Sequence, residues 1–245
     1  MVIEIVLDEQ AATDFTDCLF LTGFHGLGWT GYIAIRHLIK SAETERIGYI
    51  NSDLLPDIIS LEGNRLVLPY EFHRYKNFII FQPPFQPIYM DPQGIAEQHR
   101  IIQALARWIQ QSHFKQALLI GGLDKRFQQA SETMRVIPTP TFPLSKELQF
   151  PLLESGLMVR GPLALLLSQL EMLKFPALVL LPYTNIDRPD PAAAAVAIEF
   201  LNTQYDLDIA ITELQSDARK IEAEISEIIR QERERTEQEP RDMYI

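Results

Sequence analysis

The chain has 245 residues and a mass of 28.1 kDa, and its 22 Lys and Arg against 33 Asp and Glu leave a formal charge of −11 at pH 7. Hydrophobic residues make up 47% and charged residues 22%, a balance that excludes a disordered chain and allows a core without covalent staples. A pI near 4.9 argues against nonspecific binding of nucleic acid or anionic membranes, and a single cysteine, Cys18, excludes an internal disulfide.

The first residues, Val2–Leu7, read as a strand: acids interrupt the apolar run and no basic segment precedes it, so no signal peptide is expected. Further strands are expected at Cys18–Thr22, Arg46–Ile50, Arg65–Pro69, Asn77–Gln82, Gln116–Ile120, Leu157–Val159 and Ala177–Leu181. Helices are expected near Gly28–Lys40, Pro92–Ser112, Gly161–Lys174 and Pro191–Gln204. Runs such as Phe78–Phe81 and Ala117–Ile120 are apolar without alternation, as in strands covered on both faces. The pattern predicts an α/β fold, a largely parallel sheet sandwiched by helices. Two proline-rich stretches, Gln82–Asp91 and Val136–Leu144, read as extended surface loops. The most apolar stretches are far too short to span a bilayer, so a soluble, intracellular protein is expected.

After residue 205 the pattern changes. Leu207, Ile211, Leu214, Ala218, Ile221, Ile225 and Ile228 form an apolar seam at 4-3-4-3 spacing, expected on one helix face. Arg230–Glu239 is almost wholly polar, and Pro240 ends the helix before Arg241-Asp-Met-Tyr-Ile245. The division expected is a core domain over 1–205, a helix passing from amphipathic to charged over 206–239, and a flexible tail over 240–245.

Gly26-Leu-Gly-Trp-Thr-Gly31 fits G-x-G-x-x-G between a strand and a helix, and Asp53 follows about twenty residues on, after another strand. Such a loop could cradle a pyrophosphate with backbone N–H groups, or it could be a tight turn needing glycine dihedrals. The bulk of Trp29 and the three residues between Thr22 and Gly26 favour the turn. His25 is the one histidine placed for acid–base work, with a packed loop ring as the plainer reading; His37, His73, His99 and His113 show no metal spacing. Cys18 opens an apolar strand and reads as core. Gly121-Gly-Leu-Asp124 is an anion-binding turn or, more simply, an entry loop capped by Asp124. Arg160-Gly-Pro-Leu163 reads as a strand exit with proline in a first helical turn. The ending Met243-Tyr244-Ile245, hydrophobic–tyrosine–any residue, sets an aromatic anchor and a terminal carboxylate on a polar stalk, an arrangement suited to capture in a partner's pocket.

Together, Gly23-Phe-His-Gly-Leu-Gly28, Gly121-Gly-Leu123, Arg188-Pro-Asp-Pro-Ala-Ala-Ala194, Leu207-Asp-Ile209 with Leu214, Ala218 and Ile221-Glu222, and the Met243-Tyr244-Ile245 ending resemble the proteasome assembly chaperone 2 family in its archaeal branch. The resemblance spans essentially the whole chain. It implies a three-layer α/β/α sandwich similar to nucleoside phosphorylases but without catalysis or cofactor. It also implies a cytoplasmic homo-oligomer, a tetramer or pentamer, whose hydrophobic–tyrosine–X (HbYX) tails dock between α-subunits of the 20S proteasome ring. On that reading Met243 fills the hydrophobic position, Tyr244 is the anchor that influences the gate, and the Ile245 carboxylate pairs with a pocket lysine. The competing expectation is a nucleotide- or nucleoside-binding enzyme built on the Gly26–Gly31 loop. Residues 206–245 carry twelve Asp and Glu against six Lys and Arg, so over half of the acid surplus lies on the stalk and tail.

Overall fold

The computed structural model describes residues 2–9, 14–53, 55–56, 58–84, 92–129, 131–144, 150–221 and 223. Most of the Gln82–Asp91 stretch, the seam from Ile225 on, the polar stretch Arg230–Glu239 and the Met243-Tyr244-Ile245 ending lie outside the described residues. In chain order the elements are β1 (Ile3–Leu7), β2 (Leu19–Gly23), α1 (Thr30–Ser41), β3 (Glu45–Ser52), β4 (Ser60–Glu62), β5 (Arg65–Val67), β6 (Glu71–Tyr75), β7 (Phe78–Gln82), α2 (Pro92–Gln111), β8 (Gln116–Ile120), β9 (Leu123–Asp124), β10 (Met134–Pro138), α3 (Pro162–Met172), β11 (Ala177–Thr184) and α4 (Pro191–Tyr205). A further helical stretch, α5, covers 212–221.

The main sheet runs β1-β3-β6-β7-β2-β8-β11-β10, with β9 paired to the far end of β11. Its centre, β7-β2-β8-β11, is parallel, with Leu19 opposite both Phe78 and Gln116. The flanking pairs β1/β3, β3/β6, β6/β7 and β10/β11 are antiparallel. The expected largely parallel sheet is therefore corrected to a mixed one. The cause is local: Lys76 takes φ +52 in a tight reversal that folds β6 back on β7 in a hairpin.

Alternate residues of the central strands feed two separate cores. Phe20, Ile79, Phe81, Leu119 and Val179 face α2 and α3, meeting Ile101, Leu105, Ile109, Leu166 and Leu170. Leu19, Leu21, Phe78, Ile80, Leu118 and Leu180 face α1 and α4, meeting Ile35, Leu38, Ala194, Ile198 and Leu201. Helices on both faces of one sheet make the α/β/α sandwich. Small side chains on α4 (Ala193, Ala194, Ala195, Ala197) allow close approach to α1 and β11. Asp190 caps α4 by accepting from the Ala193 N–H at 3.2 Å, and Pro191 occupies its first turn.

Two other expectations change. Within the stretch read as a loop from Val136, residues to Pro138 belong to strand β10; prolines are tolerated there because β10 is the last strand of the sheet path. Leu157–Val159 is not a strand. The position beside β10 is taken instead by residues 151–153, through Val136 N–H to Pro151 O (3.0 Å) and Leu153 N–H to Val136 O (3.0 Å). Leu157 and Val159 pack partly buried against the core beneath α3.

Candidate functional site

β2 ends at Gly23, and the chain turns through Phe24, His25 and Gly26 into a 3-10 turn, Leu27–Trp29, that leads into α1. Gly28 takes φ +59, and a Cβ there would collide with the Thr184 side chain and lie 2.8 Å from the Asn185 carbonyl. A Cβ on Gly31 would strike the Ile120 carbonyl. The Gly28 carbonyl also accepts from the Asp190 N–H at 2.8 Å. Two of the three motif glycines are thus spent on contact between the β2–α1 turn and the ends of β8 and β11.

Asp53 follows β3, and β6 and β7 separate that strand from β2. At three strand spacings it stands about 14 Å away across the sheet, and its carboxylate accepts from the Val2 N–H at 3.3 Å. The two halves of the dinucleotide pattern are not brought together, because the chain after α1 crosses to the sheet's outer strands instead of pairing beside β2.

His25 is buried, its ring stacked on Tyr32 (centroids 3.9 Å apart) and edge-on to Trp29 (5.3 Å). Burial pushes the Tyr32 hydroxyl up in pKa, against a lowering by the hydrogen bond from Arg36. His37 Nε2 donates to the Ala210 carbonyl at 2.7 Å, tying α1 to the segment after α4. Cys18 is buried in the core, and burial pushes its thiol up. Asp124 caps a 3-10 turn, Lys125–Phe127, accepting from the Arg126 N–H at 2.9 Å and Nε at 2.8 Å. The Arg126 contact holds its carboxyl below the usual range. Among the described residues, no three His, Cys, Asp or Glu side chains cluster to hold a metal.

Beyond the carboxyl ends of β2 and β8 lies a cavity of about 570 Å³. Its walls come from four separate stretches: Phe24 to Leu27, the start of α2 (Ile95, Gln98, His99), Ile120 to Leu123, and Met158 to Leu163 at the entry to α3. The crevice beyond the carboxyl ends of parallel strands is where open α/β sheets bind ligands. The lining is mostly apolar, with Arg160 and the two imidazoles as its ionisable groups and, among the described residues, no Asp or Glu. Three of the sequence's candidate loops (Gly26, Gly121-Gly122 and Arg160-Gly-Pro-Leu163) thus converge on one site. Ile95, His99 and Met158 carried no sequence signal, since their proximity depends on how α2 and the segment leading into α3 pack over the sheet.

A second constellation escaped the sequence reading. Glu71 on β6 has no exposed surface; Arg65 Nη1 donates to both its oxygens (2.9 and 2.8 Å), the Leu68 N–H to one (3.1 Å), and His73 Nε2 lies 3.1 Å away. Burial pushes this carboxyl up, but the hydrogen bonds from His73, Arg65 and Leu68 outweigh it and hold the pKa at about 2. The cluster pins the β4–β5 hairpin to the main sheet.

The chain is similar to an uncharacterized protein, MJ0106, of Methanocaldococcus jannaschii, at 25% identity over 228 residues, covering 91% of this chain and 90% of that one. Its fold is similar to Pyrococcus furiosus PbaA, an archaeal homolog of proteasome-assembly chaperone (TM-score 0.74, 24% identity, 99% of both chains). It is also similar to Pyrococcus furiosus PbaB, an archaeal proteasome activator (TM-score 0.73, 19% identity, 92% of this chain and 98% of that one). The PAC2 family pattern matches residues 20–229, from the first central strand through α5, and the chain accordingly belongs to the PAC2 family.

Proposed function

We propose that this protein is a noncatalytic partner of the 20S proteasome, an assembly chaperone or ATP-independent activator that docks its C-terminal tails into pockets of the α-ring. The observation that carries the reading is the PAC2 match over residues 20–229, joined to the likeness in fold to an assembly-chaperone homolog and a proteasome activator. The ending Met243-Tyr244-Ile245 supplies an apolar side chain, an aromatic anchor and a carboxylate. Each tail alone binds weakly; several on one homo-oligomer, a tetramer or pentamer, raise the effective concentration of the rest. The packing of Gly28 and Gly31 against Thr184, Asn185 and Ile120 supports this reading over a nucleotide-binding enzyme, because it leaves those glycines little part in admitting phosphate.

Pull-down of 20S particles with the full chain and with a chain lacking Met243–Ile245 tests it. Capture is expected with the full chain only, with oligomer size and melting temperature unchanged by the deletion. Equal capture by both would refute tail docking. Because the stalk carries much of the chain's acid, capture is also expected to vary between about 50 and 500 mM salt, and a salt-independent interaction would remove the stalk's charge from the account.

A further inference from the structure

We propose that the cavity beyond β2 and β8 is a binding site for a small amphipathic monocarboxylate, an acid with a single carboxylate on an apolar body of fatty-acid or arylalkanoate type. This site is independent of the tail and stands whether or not the tail docks.

The size, the walls and the charge point the same way. About 570 Å³ falls inside the range of small-molecule sites, roughly 300–1,000 Å³. Phe24, Ile120, Leu123, Val159 and Leu163 offer an apolar lining that a polar metabolite would find costly to enter. In a chain with a net charge of −11, no carboxylate among the described residues lines this cavity, while Arg160 does. Arg160 is exposed, lines the cavity, and is paired with no acid among the described residues.

Arg160 immediately precedes Gly161, the N-cap of α3. That helix begins at Pro162, Gly161 precedes it as an N-cap without a side-chain hydrogen bond, and its first backbone bond is Leu165 N–H to the Gly161 carbonyl at 3.1 Å. The N–H groups of Leu163 and Ala164 are therefore beyond what the helix itself satisfies. A guanidinium fork beside a helix's positive end suits the two oxygens of a carboxylate. The apolar walls suit a hydrocarbon body of roughly ten carbons.

Gly26 provides a variant that blocks the cavity without disturbing the fold. It lines the site, its φ of −145° suits any residue, and an added Cβ meets nothing within 4 Å. Calorimetric titration of the full chain with sodium decanoate, 1-decanol and decylamine, each below its aggregation threshold, tests the proposal. Decanoate is expected to bind saturably at one site per chain. Arg160→Gln is expected to weaken it at least tenfold with 1-decanol binding unchanged, and Gly26→Phe to abolish it while the melting temperature holds. Decylamine is expected not to bind. The proposal is overturned if decanoate shows no saturable binding, if decylamine binds as well as decanoate, or if either variant binds decanoate like the unaltered chain.

Discussion

Glu71 carries a charge at a position with no exposed surface, and its neighbours explain why that is tolerated. Arg65, Leu68 N–H and His73 together supply the hydrogen bonds that water would otherwise give. The energy is conditional on every partner being present. Glu71→Gln removes the charge on which these donors converge, while the partly exposed Arg65 keeps water and Glu62 (4.0 Å) as partners, so a loss of about 2 kcal/mol is expected in urea unfolding. The acid response has a definite sign. The carboxyl's ordinary value of 4.5 falls to about 2 in the folded chain, so its contribution is complete above pH 4.5 and disappears as pH falls toward 2. The unaltered chain should therefore lose stability steeply over that interval, and the Glu71→Gln chain less steeply. Parallel acid curves for the two would refute this account. The cluster was invisible in the sequence because hydropathy treats Glu71 and His73 as exposed, and only the hairpin delivers Arg65 to them.

At the scale of elements, the turn between β2 and α1 is a packing device. Gly28 needs both its positive φ and the absence of a Cβ, because Thr184 and Asn185 occupy that space. Gly28→Val is expected to lower stability by at least about 2 kcal/mol in thermal or urea unfolding, whereas Gly26→Ala should be neutral within about 0.5 kcal/mol. If both substitutions proved neutral, the close approach of the turn to β11 would be wrong. The central strands were readable for a simple reason: β7, β8 and most of β11 are apolar at nearly every position, which only burial on both faces requires. β6 and β10 were not. Glu71, His73 and Arg135 occupy buried positions in them: Glu71 is paired to His73 on its own strand and to Arg65 of β5, Arg135 to Tyr183 and two glutamates outside β10, and Pro138 imitates a loop signal. Arg135 is held by the Tyr183 hydroxyl at 2.7 Å and by Glu132 and Glu154, each at 3.0 Å. No local window contains that arrangement.

For the molecule as a whole, the segment after α4 belongs to the core that α1 and α4 share. Leu207, Ile209 and Leu214 are buried in it; Lys76 Nζ and the Tyr75 hydroxyl donate to the Leu207 carbonyl, and Asn202 holds Ile209 through both backbone groups. The helix of the seam starts at residue 212, so Leu207 and Ile211 precede it, and Asp206 ends α4 in the left-handed region. Each of those three buried side chains is worth roughly 1.5–3 kcal/mol. A chain ending at residue 205 should therefore melt more than about 10 °C lower than the full chain, while one ending at residue 223 should melt within a few degrees of it. Equal melting of the two truncated chains would contradict this account of the core. Among the described residues no helix is long and apolar enough to cross a membrane.

The sequence by itself determined the layers: the uninterrupted apolar strands, the four long helices between them, and the concentration of acid beyond residue 205. Each of these is a statement about neighbouring residues, and burial or solvation imposes it locally. Only the tertiary structure decided the mixed sheet, the burial of the Glu71 and Arg135 ion clusters, and the cavity. The cavity draws on stretches near residues 25, 98, 121 and 160, and strand order together with the packing of α2 and α3 on one face of the sheet brings them to one end of it.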